Sequence, residues 1–247
     1  NEAGSSDPPV YVLDRVNMLA GLTPRPFQRV TAPALAGFGF QALTPIDLDG
    51  TTAPPTGNPG YQIRHRDDEA HNVGANDATQ DFIELFEYSV DLDNAANSSF
   101  QLAASIPVSE FDSDLNGLFA FNAIVQPGTT QQLDPLREVV MWRPSYRNFG
   151  THESIVGSFV TDVDGTDHAG VRWFELRRTG NSSWQLFQEG TVAPDADSRW
   201  MSAIAIDAAG NIALAYSVSG TSTFPGLRYT GRLASDPLGT MPQGEHL

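Results

Sequence analysis

The densest group of chemically capable side chains is the run Arg64-His65-Arg66-Asp67-Asp68-Glu69, followed by His71 and Asn72. Adjacent carboxylates can divide into a general acid and a general base when their surroundings push their pKa values apart. Arginines beside them can grip a substrate carboxylate in a forked geometry. The competing reading is a salt-bridged loop facing water, which is what charge runs usually are. A second group comprises Arg143, Tyr146, Arg147, Asn148, His152 and Glu153. Interleaved aromatic and guanidinium groups of this kind can stack on a sugar ring and hydrogen-bond its hydroxyls. Alternatively they tie one sheet to the next.

Asp-x-Asp-Gly occurs at Asp47–Gly50 and at Asp162–Gly165, where Asp162 and Asp164 are followed by Asp167 and His168; Asp91 and Asp93 form a related pair. Closely spaced carboxylates at a sharp turn suit calcium, a hard cation that takes six to eight oxygens. Asp162, Asp164 and Asp167 are the calcium candidates, although no EF-hand loop is completed and plain hairpin turns account for the same residues. A zinc site from His65, His71, His152, His168 and His246 has no motif behind it. There is no HExxH, no GxSxG and no Walker loop, which disfavours zincin, α/β-hydrolase and phosphoryl-transfer chemistry.

The elements that must position these residues are strands. The 22 glycines and 17 prolines recur too often for long helices, and only Asp14–Leu19 has a helical look. Strands are expected at Val10–Leu13, Phe82–Val90, Val139–Trp142, Ser154–Val160, Val171–Leu176, Trp184–Gln188, Ser202–Ile206 and Ile212–Val218. Thr51–Pro59 and Asn116–Asp134 read as loops. Three stretches share a weak repeat of apolar strand, Asp-Gly-type turn and further strands, beginning at Gly39, Glu153 and Met201. Meanders of this kind every 40–50 residues or so suggest a β-propeller of about five blades, with a long-looped β-sandwich as the alternative. Trp142, Trp173, Trp184 and Trp200 are expected in the core rather than on a ligand platform, and Trp173 cannot share a sheet face with Arg172.

The chain has 247 residues, no cysteine and a net charge of -16, with arginine as its only strong base. Disulfides and thiolate chemistry are excluded. So acidic a surface disfavours nucleic acid and anionic membranes as partners. No apolar run is long enough for a membrane-spanning helix. The opening NEAGSSDPP is expected either to follow a removed leader or to lie inside a longer chain.

The phrases RHRDDEAHN (64–72), YRNFGTHESIVGSFVTDVDGTDHAGVRWFELR (146–177), SRWMSAIAIDAAGNIALAYSVS (198–219) and RYTGR with DPLGTMPQGE (228–245) resemble a propeller-like region of very large secreted bacterial proteins, a region with no characterised function. The resemblance implies export, neighbouring adhesion or repeat modules, and a chain that starts inside a propeller whose remaining blades lie elsewhere or on a partner chain. It assigns no catalytic residue. The functional expectation is a binding or structural module of a secreted or cell-surface protein, with glycan or a surface protein as ligand. The alternative is a glycan-active hydrolase using Asp67, Asp68, Glu69 and Glu153, whose carboxyl spacing would set its stereochemistry. On that view Asp67→Asn and Glu153→Gln would leave folding intact. Convergence of the two polar groups on one pocket would favour an active site; separation would favour the structural reading.

Overall fold

A computed structural model describes residues 7–35, 43–71, 77–117 and 120–247. The chain is all-β. In order, its elements are β1 (Pro9–Val12), α1 (Arg15–Leu19), β2 (Gln28–Thr31), β3 (Thr44–Pro45), β4 (Asp47–Asp49), β5 (Gly60–Arg66), α2 (Asp68–His71), β6 (Gln80–Ser89), β7 (Ser99–Ser109), β8 (Ser145–Asn148), β9 (Glu153–Asp162), β10 (Ala169–Arg178), β11 (Gln185–Val192), β12 (Ser198–Ile206), β13 (Ile212–Ser219) and β14 (Gly226–Arg232), with a 3-10 turn at Ala95–Asn97. They form four open sheets: β1-β2, β3-β5-β6-β7, β4-β8-β9-β10-β11 and β12-β13-β14. Pairing is antiparallel throughout, except that β4 runs parallel to β8.

The three larger sheets stack face to face in chain order. The alternation of side chains along a strand explains how. Ile155 and Phe159 of β9, with Phe174 and Leu176 of β10, pack against Tyr61, Ile63, Ile83 and Leu85 of the preceding sheet. The intervening residues Val156, Val171 and Trp173 pack against Ile204, Ile212, Leu214 and Tyr216 of the following sheet. With both faces covered, every residue of β9 is buried. β12 and β13, by contrast, alternate buried with exposed, as strands of an outer layer should. Gly157 makes the middle layer possible: a methyl group there would come within 2.4 Å of the Phe174 ring, its cross-strand partner.

Most strands lie where the sequence suggests, with ends displaced by a few residues. Val139–Trp142 is an exception. Val140 is buried and Met141 N–H donates to the Ser158 carbonyl at 2.8 Å, but the segment pairs with no strand and Trp142 is 60% exposed. It lies between Leu136 and Glu138, whose φ angles are positive, and Pro144, which has no N–H to give a ladder. The other three tryptophans are buried, and Trp173 and Arg172 take opposite faces of β10. Asp14 caps α1 through the Asn17 N–H. The stretches 51–59 and, where described, 116–134 form no named strand; Ile124 and Leu133 make an isolated bridge within the latter.

Candidate functional site

The run 64–71 continues from β5 into α2, and its side chains divide between core and rim. Arg64 pairs with buried Glu84 at 2.6 Å, and Arg66 lies over the Phe82 ring at 4.2 Å. His65 is buried against Phe159, ring centroids 4.6 Å apart, and neither ring nitrogen meets a partner among the described residues. Asp67 is also buried: Oδ1 accepts from the Ala70 N–H, and Oδ2 accepts from the Ser113 N–H and hydroxyl, each at 2.9 Å. His71 contacts the Asp67 carbonyl at 2.5 Å through Nδ1 and Glu138 Oε2 at 2.7 Å through Nε2. Burial alone would lower the His71 pKa, but Glu138 outweighs it and raises it; Glu138 in turn is held low by His71 against its own burial. Asn72 lies outside the described residues.

His65 has a pH signature. Burial drives its pKa to about 4, so the folded ring stays neutral where the unfolded ring, near 6.5, takes a proton. Stability carried by this position therefore falls as pH drops from about 6.5 to about 4. His65→Phe removes that loss. Urea melts should show the variant gaining on the wild type by roughly 2 kcal/mol between pH 7 and pH 5; a constant difference would refute the assignment.

Asp68 and Glu69 belong to a different group. The antiparallel register of β5, β6 and β7 brings the end of β5, the start of β6 and the end of β7 to one edge of the sheet. Asp68, Glu69, Asp81 and Glu110 converge there, each offering an oxygen within 4.8 Å of the others. The fold fixes two of them. Asp81 accepts from the Asp68 and Phe111 N–H groups at 2.9 Å, and Asp68 Oδ2 accepts from the Asp77 N–H at 2.9 Å. Asp68 Oδ1 and both oxygens of Glu69 are shielded from solvent and meet no donor among the described residues. Burial, then the neighbouring Asp68, raises Glu69 to about 7. Burial, opposed by those two N–H groups, raises Asp81 to about 8. Glu69 and Glu110 open onto a cavity of about 470 Å³ also bordered by Asp67, Asp112 and Asp114. Oxygen donors alone suit a hard cation. Sequence reading missed Asp81 and Glu110 as members of this group. The available signal was an acid at the start of one apolar run and at the end of the next.

The second run also divides. Tyr146 is in the core, and its hydroxyl donates to Glu153. Glu153 is buried and accepts from Arg178 Nε at 2.6 Å and Asn58 Nδ2 at 2.8 Å. Burial would raise its pKa, but Arg178, Tyr146 and Asn58 together lower it. His152 stacks on Phe149 at 4.8 Å. Asn148 donates to the Ala53 carbonyl. Arg143 reaches Asp49 at 2.6 Å and Asp47 at 3.2 Å, while Arg147 Nε donates to the Ile206 carbonyl at 3.0 Å. Gly50 has φ +86°, and a Cβ there would fall 2.5 Å from the Arg147 guanidinium, so the DLDG turn leaves room for that side chain.

Arg143 and Arg147 border a cleft of about 700 Å³ with Asp49, Asn211, Tyr229 and His246. Its lip is the chain end folded back on β14: Tyr229 and His246 exchange backbone hydrogen bonds at 3.0 and 2.9 Å. Tyr229 is 50% exposed, with the His246 ring 5.4 Å away. The cavities bordering Asp67 and Glu69, Arg143 and Arg147, and His152 each draw on one of the two polar runs alone. Asp67 and Glu153 thus hold backbone, hydroxyl, amide and arginine groups within the fold, so their amide variants are expected to lose stability.

The calcium candidates of the Asp162 turn already accept hydrogen bonds, Asp162 and Asp164 from their own turn and Asp167 from a distant loop. Asp162 accepts from the Asp164, Gly165 and Asp167 N–H groups, Asp164 from Thr166 and His168, and Asp167 from the Asn116 N–H at 2.5 Å. Their oxygens do not converge as those of the Asp68 group do. Asp91 likewise closes its own turn through Asp93 and Asn94.

No known protein family, no curated protein and no solved structure matches this chain.

Proposed function

We propose that this chain is a binding module of a secreted or cell-surface protein, that its stacked sheets are blades of a propeller-like array, and that the cleft beside Tyr229 takes carbohydrate. Three largely antiparallel sheets packed face to face in chain order support the propeller reading. The observation that carries the ligand reading is a half-exposed aromatic ring at a 700 Å³ cleft flanked by guanidinium and amide side chains. A sugar presents one apolar face to such a ring and its hydroxyls to such donors. The carboxylates of Asp49 and Asp207 at the cleft wall are already engaged by Arg143 and by the Asn211 turn, which leaves donors predominant. Glu153 is caged by Arg178, Tyr146 and Asn58 and the two polar runs border separate cavities, which disfavours glycan hydrolysis.

A glycan-array screen of the full chain beside Tyr229→Ala tests this reading. The expected result is a specific hit at least tenfold weaker in the variant, with both proteins melting cooperatively. A blank array, or a hit indifferent to Tyr229→Ala, would overturn it.

A further inference from the structure

We propose that Asp68, Glu69, Asp81 and Glu110 form a calcium site at the edge of the four-stranded sheet, independent of the Tyr229 cleft and separate from the Asp162 turn. Four carboxyl groups offer oxygens within 4.8 Å of one another. Around a calcium ion, with oxygens at about 2.3–2.6 Å, opposite ligands stand about 4.6–5.2 Å apart, so this set fits inside one coordination shell. Asp68 supplies the second, independent observation. It is 2% exposed, and among the described residues its Oδ1 meets no donor although Oδ2 has one. Glu69 adds two more solvent-shielded oxygens that meet no donor from elsewhere in the fold among the described residues. Buried polar atoms in folded proteins have partners, and a cation is the partner four converging carboxylates select.

The choice among cations follows from the donor set. No histidine joins the group, and the chain has no cysteine, which sets zinc aside. Magnesium holds its waters and seldom accepts a cage made of protein carboxylates alone, whereas calcium tolerates crowded, irregular and bidentate oxygen ligation. The framework is anchored before any ion arrives. Asp81 is fixed by two backbone N–H groups and Asp68 by one. Glu69, whose carboxyl faces Asp68, and Glu110 border the cavity through which an ion would enter. Asp68 and Asp81 would be the anchored ligands, with Glu69 and Glu110 at the mouth of the site. Its effect would be to clamp the ends of β5, β6 and β7 together.

The test is calorimetric titration of calcium chloride into the chelator-stripped full chain at 150 mM sodium chloride, where diffuse attraction to an acidic surface is screened. One saturable site is expected, with a Kd at or below about 1 mM. The double variant Glu69→Gln/Glu110→Gln should bind at least tenfold more weakly while melting cooperatively without calcium, because neither side chain supports another part of the fold. Asp164→Asn should bind as the wild type does, and magnesium at least tenfold more weakly than calcium. No saturable heat up to 10-fold above that Kd, unchanged binding by the double variant, loss of binding in Asp164→Asn, or equal affinity for magnesium would each overturn the proposal.

Discussion

Replacing Glu153 by alanine is expected to lower unfolding free energy by about 3–5 kcal/mol, measured by chemical denaturation. The substitution strands three partners, Tyr146 buried and Arg178 and Asn58 half-buried. Arg178, whose side chain is 11% exposed, loses both of its carboxylate contacts at 2.6 and 3.0 Å. Its guanidinium is sandwiched over Trp184 at 4.8 Å and near Tyr61 at 5.7 Å, so it cannot swing freely into water. The Tyr146 hydroxyl and the Asn58 amide lose their acceptor as well. A buried charge left unpaired costs more than the pair contributes, so the double variant Glu153→Met/Arg178→Met should be less destabilised than the single one. If Glu153→Ala folded with wild-type stability, Glu153 would return as a candidate for chemistry.

Trp173→Ala should cost a comparable amount, about 3–5 kcal/mol, because it empties the interface between the middle and outer sheets. Trp173 is 1% exposed and belongs to the cluster with Val156, Ile204, Leu214 and Tyr216. It stands opposite Ser158 on β9, so no neighbouring side chain of that strand is large enough to fill the space. Trp142→Ala supplies the contrast. That ring is 60% exposed, and its removal should change stability by no more than about 0.5 kcal/mol. Equal effects at the two positions would contradict the layered packing.

The strand content was legible because it rests on local signals. Alternation in Ser202–Ile206 and Ile212–Val218 marks a half-buried layer directly, and the apolar run Ser154–Val160 with its glycine marks a strand buried on both faces. Strand β8 was hidden in a polar run, because Arg147 and Asn148 there are held by distant carbonyls. The sites were less legible, for two different reasons. Charge in sequence suggests water, yet His65, Asp67, His71 and Glu153 are all nearly or fully buried by partners far along the chain. Short-range spacing also misdirects. Asp162 and Asp164 sit close in sequence because a tight turn needs acceptors for its own N–H groups, while Asp167 takes the distant Asn116 N–H. Asp68, Asp81 and Glu110 are distant in sequence and meet only because three antiparallel strands end together.

The most direct measurement is the position of the cation itself. Crystals of the full chain grown with calcium, measured at a wavelength where calcium scatters anomalously, should show a strong peak about 2.3–2.6 Å from oxygens of Asp68, Glu69, Asp81 and Glu110. An anomalous map with nothing between those carboxylates, or with its only peak at the Asp162 turn, would contradict the calcium site.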